Sequence, residues 1–107
     1  MNKNVTSQRK FLINRLGYIR NRAKLSAREL SQRLGFSIAY IAKFENGDFN
    51  IPSEVLLDAI SICNSNTEEF FHSDISKYNE HKDLLEKYES LSSDSKQTIL
   101  DLMKKLK

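Results

Sequence analysis

Tryptophan is absent from this 107-residue chain, which also has one proline, one cysteine and three glycines. So little turn punctuation argues against a sheet and for an all-α fold. The lone Cys63 excludes an internal disulfide and cannot by itself hold zinc, so a reducing setting suits it. No apolar run reaches roughly 18 residues, and no membrane-spanning helix is expected. Met1-Asn2-Lys3-Asn4 lacks the apolar stretch of a signal peptide, so the expectation is a cytoplasmic protein. Without a glycine-rich phosphate loop, paired histidine ligands or a cysteine pair, neither a metal nor any other cofactor is expected. His72 beside Ser73-Asp74, and His81 near Glu80 and Asp83, are local polar runs rather than a nucleophile with an oriented base. No catalytic residue is assigned, and an enzyme is not expected.

What the chain does have is charge of one sign in one half. Residues 1–47 hold ten Lys/Arg against Glu29 and Glu45, a net of +8, whereas residues 48–107 hold seven Lys against twelve acids, a net of −5. A basic amino-terminal half is the electrostatic footprint of a phosphate-binding surface. The length suits one domain with a modest core plus an extension.

Residues 25–47 organise the rest. Ser26 can cap a helix whose third residue, Glu29, reaches back to complete a capping box. Leu30 and Leu34 then share a face, and Gly35 stops the helix with the positive φ that glycine tolerates. Ser37 offers a second cap for a helix over residues 37–45, and Gly47 closes it. Between the two helices the small Ser31 allows close approach, with Leu30, Leu34, Phe36, Ile41 and Phe44 as the apolar wedge. On spacing alone this is a helix-turn-helix or any helical hairpin.

Leu25-Ser26-Ala27-Arg28-Glu29-Leu30-Ser31, Leu34-Gly35-Phe36-Ser37, Tyr40-Ile41 and Phe44-Glu45-Asn46-Gly47 resemble the lambda-repressor/Cro-type (XRE-like) helix-turn-helix family, over about residues 15–71. The resemblance implies a five-helix DNA-binding domain over residues 1–72, followed by a helical extension over residues 73–107. It also implies an ion pair between Arg20 and Glu45. In that family the start of the second helix faces the bases of double-stranded DNA in the major groove. Carried across, the base-reading residues are Ser37, Ile38, Ala39, Tyr40 and Lys43, with Lys24, Arg28 and Asn46 on the DNA backbone. The function implied is a sequence-specific transcriptional regulator of repressor type. Ala27 stands where many members have a phosphate-holding glutamine, and residues 48–51 lack the usual basic residue. Ile38 and Ala39 replace amides that could bond adenine. These departures leave an alternative open: an antitoxin-like or anti-repressor-like module that uses the same face on a protein partner.

The remaining segments read as scaffold. Residues 1–6 are polar and expected to fray. Thr6 or Ser7 caps a helix to about Arg22, with Phe11, Leu12, Leu16 and Ile19 inward and Arg9, Arg15 and Arg22 outward. Ser53 is expected to cap a helix to Cys63 whose buried stripe is Val55, Leu56, Ala59, Ile60 and Cys63. Thr67 caps a short helix, and Phe70 and Phe71 close the core. Beyond residue 77, Tyr78, Leu84, Leu85, Tyr88 and Leu91 describe one amphipathic helix. Asp94 with Gln97 starts the last, whose stripe is Ile99, Leu100, Leu102, Met103 and Leu106. That stripe must be covered by an intrachain hairpin, by a homodimer, or by both.

Overall fold

Seven helices form among residues 6–106, which the computed structural model describes: α1 (Ser7–Arg22), α2 (Ala27–Arg33), α3 (Tyr40–Glu45), α4 (Ser53–Ile62), α5 (Thr67–Phe71), α6 (Ile75–Glu89) and α7 (Ser93–Lys105). No strand occurs among the described residues. Residues 1–5, for which fraying is expected, lie outside them. The chain divides into two units, Met1–Phe71 and His72–Lys107.

In the first unit α3 packs on α2 and α1, while α4 closes against α1, α2 and α5. Leu16, Ile19, Leu30, Ile41, Phe44, Ala59 and Phe70 are wholly buried, and Cys63 and Ile60 nearly so. Burial pushes the Cys63 thiol up, away from the reactive thiolate, so it behaves as a small core residue. The inward stripe of α1 is Ile13, Leu16 and Ile19, three residues apart. Phe11 and Leu12 are only half-buried. Phe11 lies at the edge of the core, stacked on Phe71 at 6.4 Å and edge-on to Phe70. Phe71 is accordingly 52% exposed, and Phe70 alone closes the core.

Four helices end in a left-handed residue, two of them without glycine. Gly35 (φ 83) and Gly47 (φ 87) follow α2 and α3, while Lys24 (φ 60) and Asn64 (φ 59) follow α1 and α4. In each case the next amide reaches back into the last turn: Leu25 N–H to Arg20 O, Phe36 to Ser31 O, Asp48 to Lys43 O and Ser65 to Ile60 O.

Helix starts differ from expectation by one to three residues. Pro52, extended at φ −63 and ψ 146, is the residue before α4, and its carbonyl accepts from Leu56 N–H. Ser53 is therefore already inside the helix. Asn66, not Thr67, caps α5 by accepting from Glu69 N–H at 2.9 Å. Asp74 caps α6 four residues before Tyr78, and Ser92 caps α7 two before Asp94. The second unit holds α6 and α7. Ser92 and Asp74 satisfy their opening amides, yet α7 has no buried residue and α6 buries only Ile75.

Candidate nucleic-acid interface

The leading helix of the motif forms by its own chemistry. Ser26 Oγ accepts from Glu29 N–H at 3.0 Å and Glu29 Oε1 accepts from Ser26 N–H at 3.1 Å, which closes the capping box. Those hydrogen bonds, the backbone one first, hold the Glu29 carboxyl below its ordinary range, with Arg33 adding a smaller pull.

The second helix starts differently. Ser37 does not cap it: residues 37–39 form a turn in which Tyr40 N–H donates to Ser37 O at 3.0 Å, and α3 begins at Tyr40. Its free amide at Ile41 is met from across the motif. Ser31 Oγ accepts from Ile41 N–H at 2.9 Å while donating to Ala27 O at 2.8 Å. One buried hydroxyl thus ties α2 to the start of α3 and answers an amide that the turn leaves unpaired. Of the expected wedge, Leu30, Ile41 and Phe44 are buried, Leu34 is half-buried and Phe36 is 41% exposed.

Phe36 lies outside the core because it stacks on Tyr40 instead, with ring centroids 4.2 Å apart and an interplanar angle of 14°. Phe49, from the loop after α3, leans on Tyr40 at 4.9 Å and on Phe44 at 6.0 Å. Tyr40 is therefore held between two rings, and partial burial pushes its phenol up. Nothing in the sequence pattern points to Phe49, which occupies the loop where the family resemblance implies a basic residue.

Arg20 and Glu45 meet. Nη2 to Oε1 is 3.0 Å and Nε to Oε2 is 3.2 Å, a two-pronged pair, and Arg20 Nη1 also donates to Leu25 O at 2.9 Å. This one guanidinium joins α1, the end of α3 and the residue that opens the motif. Of Arg9, Arg15 and Arg22, expected largely outward, the first two are half-buried and Arg22 stays exposed, yet all three bond to the fold. Arg9 Nη2 donates to Gly47 O at 2.9 Å, which pins the end of α3. Arg15 Nη1 donates to the carbonyls of Glu69 and Phe70 at the end of α5. Arg22 pairs with the buried Glu69 through 2.6 and 3.1 Å bonds, and Ser65 Oγ adds a third. Carbonyls at a helix end and a buried carboxylate hold these guanidinium groups against the fold.

The residues left facing solvent from this half include Lys10, Lys24, Arg28, Arg33 and Lys43. Ser37 and Ile38 are exposed, Ile38 at 48%, and Ala39 and Tyr40 are half-buried. Asn46 is exposed at the end of α3, and its Nδ2 donates to Asp48 Oδ1 at 3.0 Å. Lys24 occupies the left-handed residue after α1, and Arg28 the first turn of α2.

A helix-turn-helix family model (HTH_3) matches residues 16–70. The chain belongs to the XRE/lambda-repressor-like helix-turn-helix family. The match takes in the capping box, Ser31, the aromatic stack and the Arg20–Glu45 pair. Helix-turn-helix proteins of this family are DNA-binding and typically not enzymes, so the domain is that of a DNA-binding regulator. No curated protein and no solved structure matches the chain. Among the described residues no group of three or more His, Cys, Asp or Glu could hold a metal, and no helix is long and apolar enough to cross a membrane.

Proposed function

We propose that the protein is a sequence-specific transcriptional regulator of repressor type that acts as a homodimer, each copy setting α3 into the major groove of double-stranded DNA. The observation that carries this reading is the sorting of charge on the motif. Glu45 is bound to Arg20 and Asp48 accepts from Asn46, while Lys43 on α3, Arg28 on α2 and Lys24 face solvent. Ser37 and Ile38, on the turn that feeds α3, meet base edges, Ile38 against a thymine methyl. Ala39 lies beside them, and Lys43 reaches a guanine edge or a phosphate one turn further on. Tyr40, held by Phe36 and Phe49, donates to a phosphate. Lys24, Arg28 and Asn46 hold the backbone, Asn46 with the amide it now shares with Asp48.

The exposed Phe36 and Ile38, at 41% and 48%, favour a second reading, an antitoxin-like or anti-repressor-like contact with a protein partner through the same face. Salt separates the two, because phosphate binding releases counterions and an apolar contact does not. Duplex binding measured across a salt series is expected to weaken steeply. Lys43→Gln should lower the slope of log K against log salt by about one per copy. Binding that ignores salt, or a slope unchanged by Lys43→Gln, would contradict the DNA reading at this face.

A further inference from the structure

The second unit carries apolar surface that its own two helices do not cover. Leu84, Leu85, Leu100, Leu102, Met103 and Leu106 are 42–77% exposed. Between α6 and α7 lies a cleft of about 380 Å³, walled by Leu84, Leu85, Tyr88, Leu91, Leu100 and Met103 among others. The helices are joined at their turn end, where Lys96 Nζ lies 3.5 Å from Glu89 and 5.5 Å from the Tyr88 ring centroid. An apolar cleft open to water is a surface waiting for a second apolar body.

We propose that this body is α7 of a second copy of the chain, the two units closing about a two-fold axis into a four-helix bundle in which the α7 helices run antiparallel. The proposal rests on the homodimer reading above and gives it an interface. Three observations select this occupant. The cleft is walled by apolar side chains of two helices, and α7 is amphipathic, with an apolar stripe and no buried residue. The segment 72–107 carries seven Lys and seven acids, so two copies meet without net repulsion. Lys96 of α7 is held by Glu89 and Asp101 by Gln97, which leaves Asp94 in its first turn against Lys104 and Lys105 in its last. An antiparallel partner brings each Asp94 toward the other copy's lysines and opposes the helix dipoles, whereas a parallel one would align like charges. Such a contact is isologous: the surface that donates α7 is the surface that receives it.

The test is the mass of the full chain in solution, measured by light scattering without DNA, so that its outcome is separate from that of the DNA reading. The intact protein is expected near twice 12.4 kDa. The double variant Leu100→Glu/Met103→Glu should fall to the single mass, while Leu57→Glu, on the exposed face of α4 in the first unit, should leave the mass doubled. Leu100→Cys in the otherwise native chain is expected to become cross-linked in pairs by a short thiol-reactive linker, since Cys63 is 1% exposed and does not compete. A monomeric native chain overturns the proposal. So does a dimer that survives Leu100→Glu/Met103→Glu, or one that gives no cross-link at residue 100.

Discussion

The two units use similar residues in opposite ways. In the first, ten leucines, isoleucines and phenylalanines are buried, with Phe36, Ile38, Leu57 and Phe71 left exposed, and arginines bond to carbonyls and carboxylates up to 55 residues away in the chain. In the second, leucines of comparable number face water, and its ion pairs, Lys87–Asp83 and Lys96–Glu89, lie at the surface. A hairpin of two helices has one apolar seam and cannot enclose its own outer faces; five helices can. The first unit therefore encloses its core within one chain, whereas the second leaves apolar faces exposed, which the proposed second copy would cover.

Substitutions should separate the two units by size of effect. Phe44→Ala removes a wholly buried ring between α3 and its neighbours and is expected to cost about 3–5 kcal/mol in denaturant unfolding. Leu100→Ala in the second unit should instead leave the unfolding of the first unit in place and change only how the melting temperature depends on protein concentration. Next comes Glu69→Ala, which strips Arg22 and Ser65 of a shared acceptor and should cost about 2 kcal/mol. Ser31→Ala leaves the Ile41 amide without its partner, for about 1–2 kcal/mol. Hydrogen exchange at Ile41 should then quicken while exchange within α6 and α7 is unchanged.

The smallest effect belongs to the capping box. Because Glu29 titrates lower in the folded protein than in the unfolded one, its contribution is present above the unfolded value and lost as pH falls through the folded value. Glu29→Ala should therefore destabilise the protein at neutral pH, and the difference from the native chain should vanish in acid below the ordinary glutamate range. A difference that persists there would mean that the side chain acts through something other than its charge.

Local grammar in the sequence predicts much of the motif. Ser26 with Glu29, Gly35 and Gly47 are signals contained within a few residues, and the structure uses each as its chemistry suggests. Cap positions were harder wherever cap-forming residues crowd together. Asn64-Ser65-Asn66-Thr67 and Ser92-Ser93-Asp94 each contain several suitable oxygens, and only the backbone path selects Asn66 and Ser92. Contacts between distant residues were not readable at all. Arg22 meets Glu69 across 47 residues and Arg9 meets Gly47 across 38, and a helical wheel shows those arginines only as polar positions. Arg20 and Glu45 were anticipated through the family resemblance, not through spacing. On the reading face the residue types were legible, but the aromatic hold on Tyr40 from Phe36 and Phe49 was not, because it depends on where the loop after α3 returns.

Selection of preferred duplexes from a random pool, at low and at high salt, tests the joint claim that the first unit reads DNA and the second pairs the copies. The account predicts enrichment, stronger at low salt, of an inverted repeat whose half-site centres lie about 34 Å apart or a multiple of that. Enrichment of a lone half-site would contradict the pairing, and no enrichment at either salt would contradict the reading of DNA.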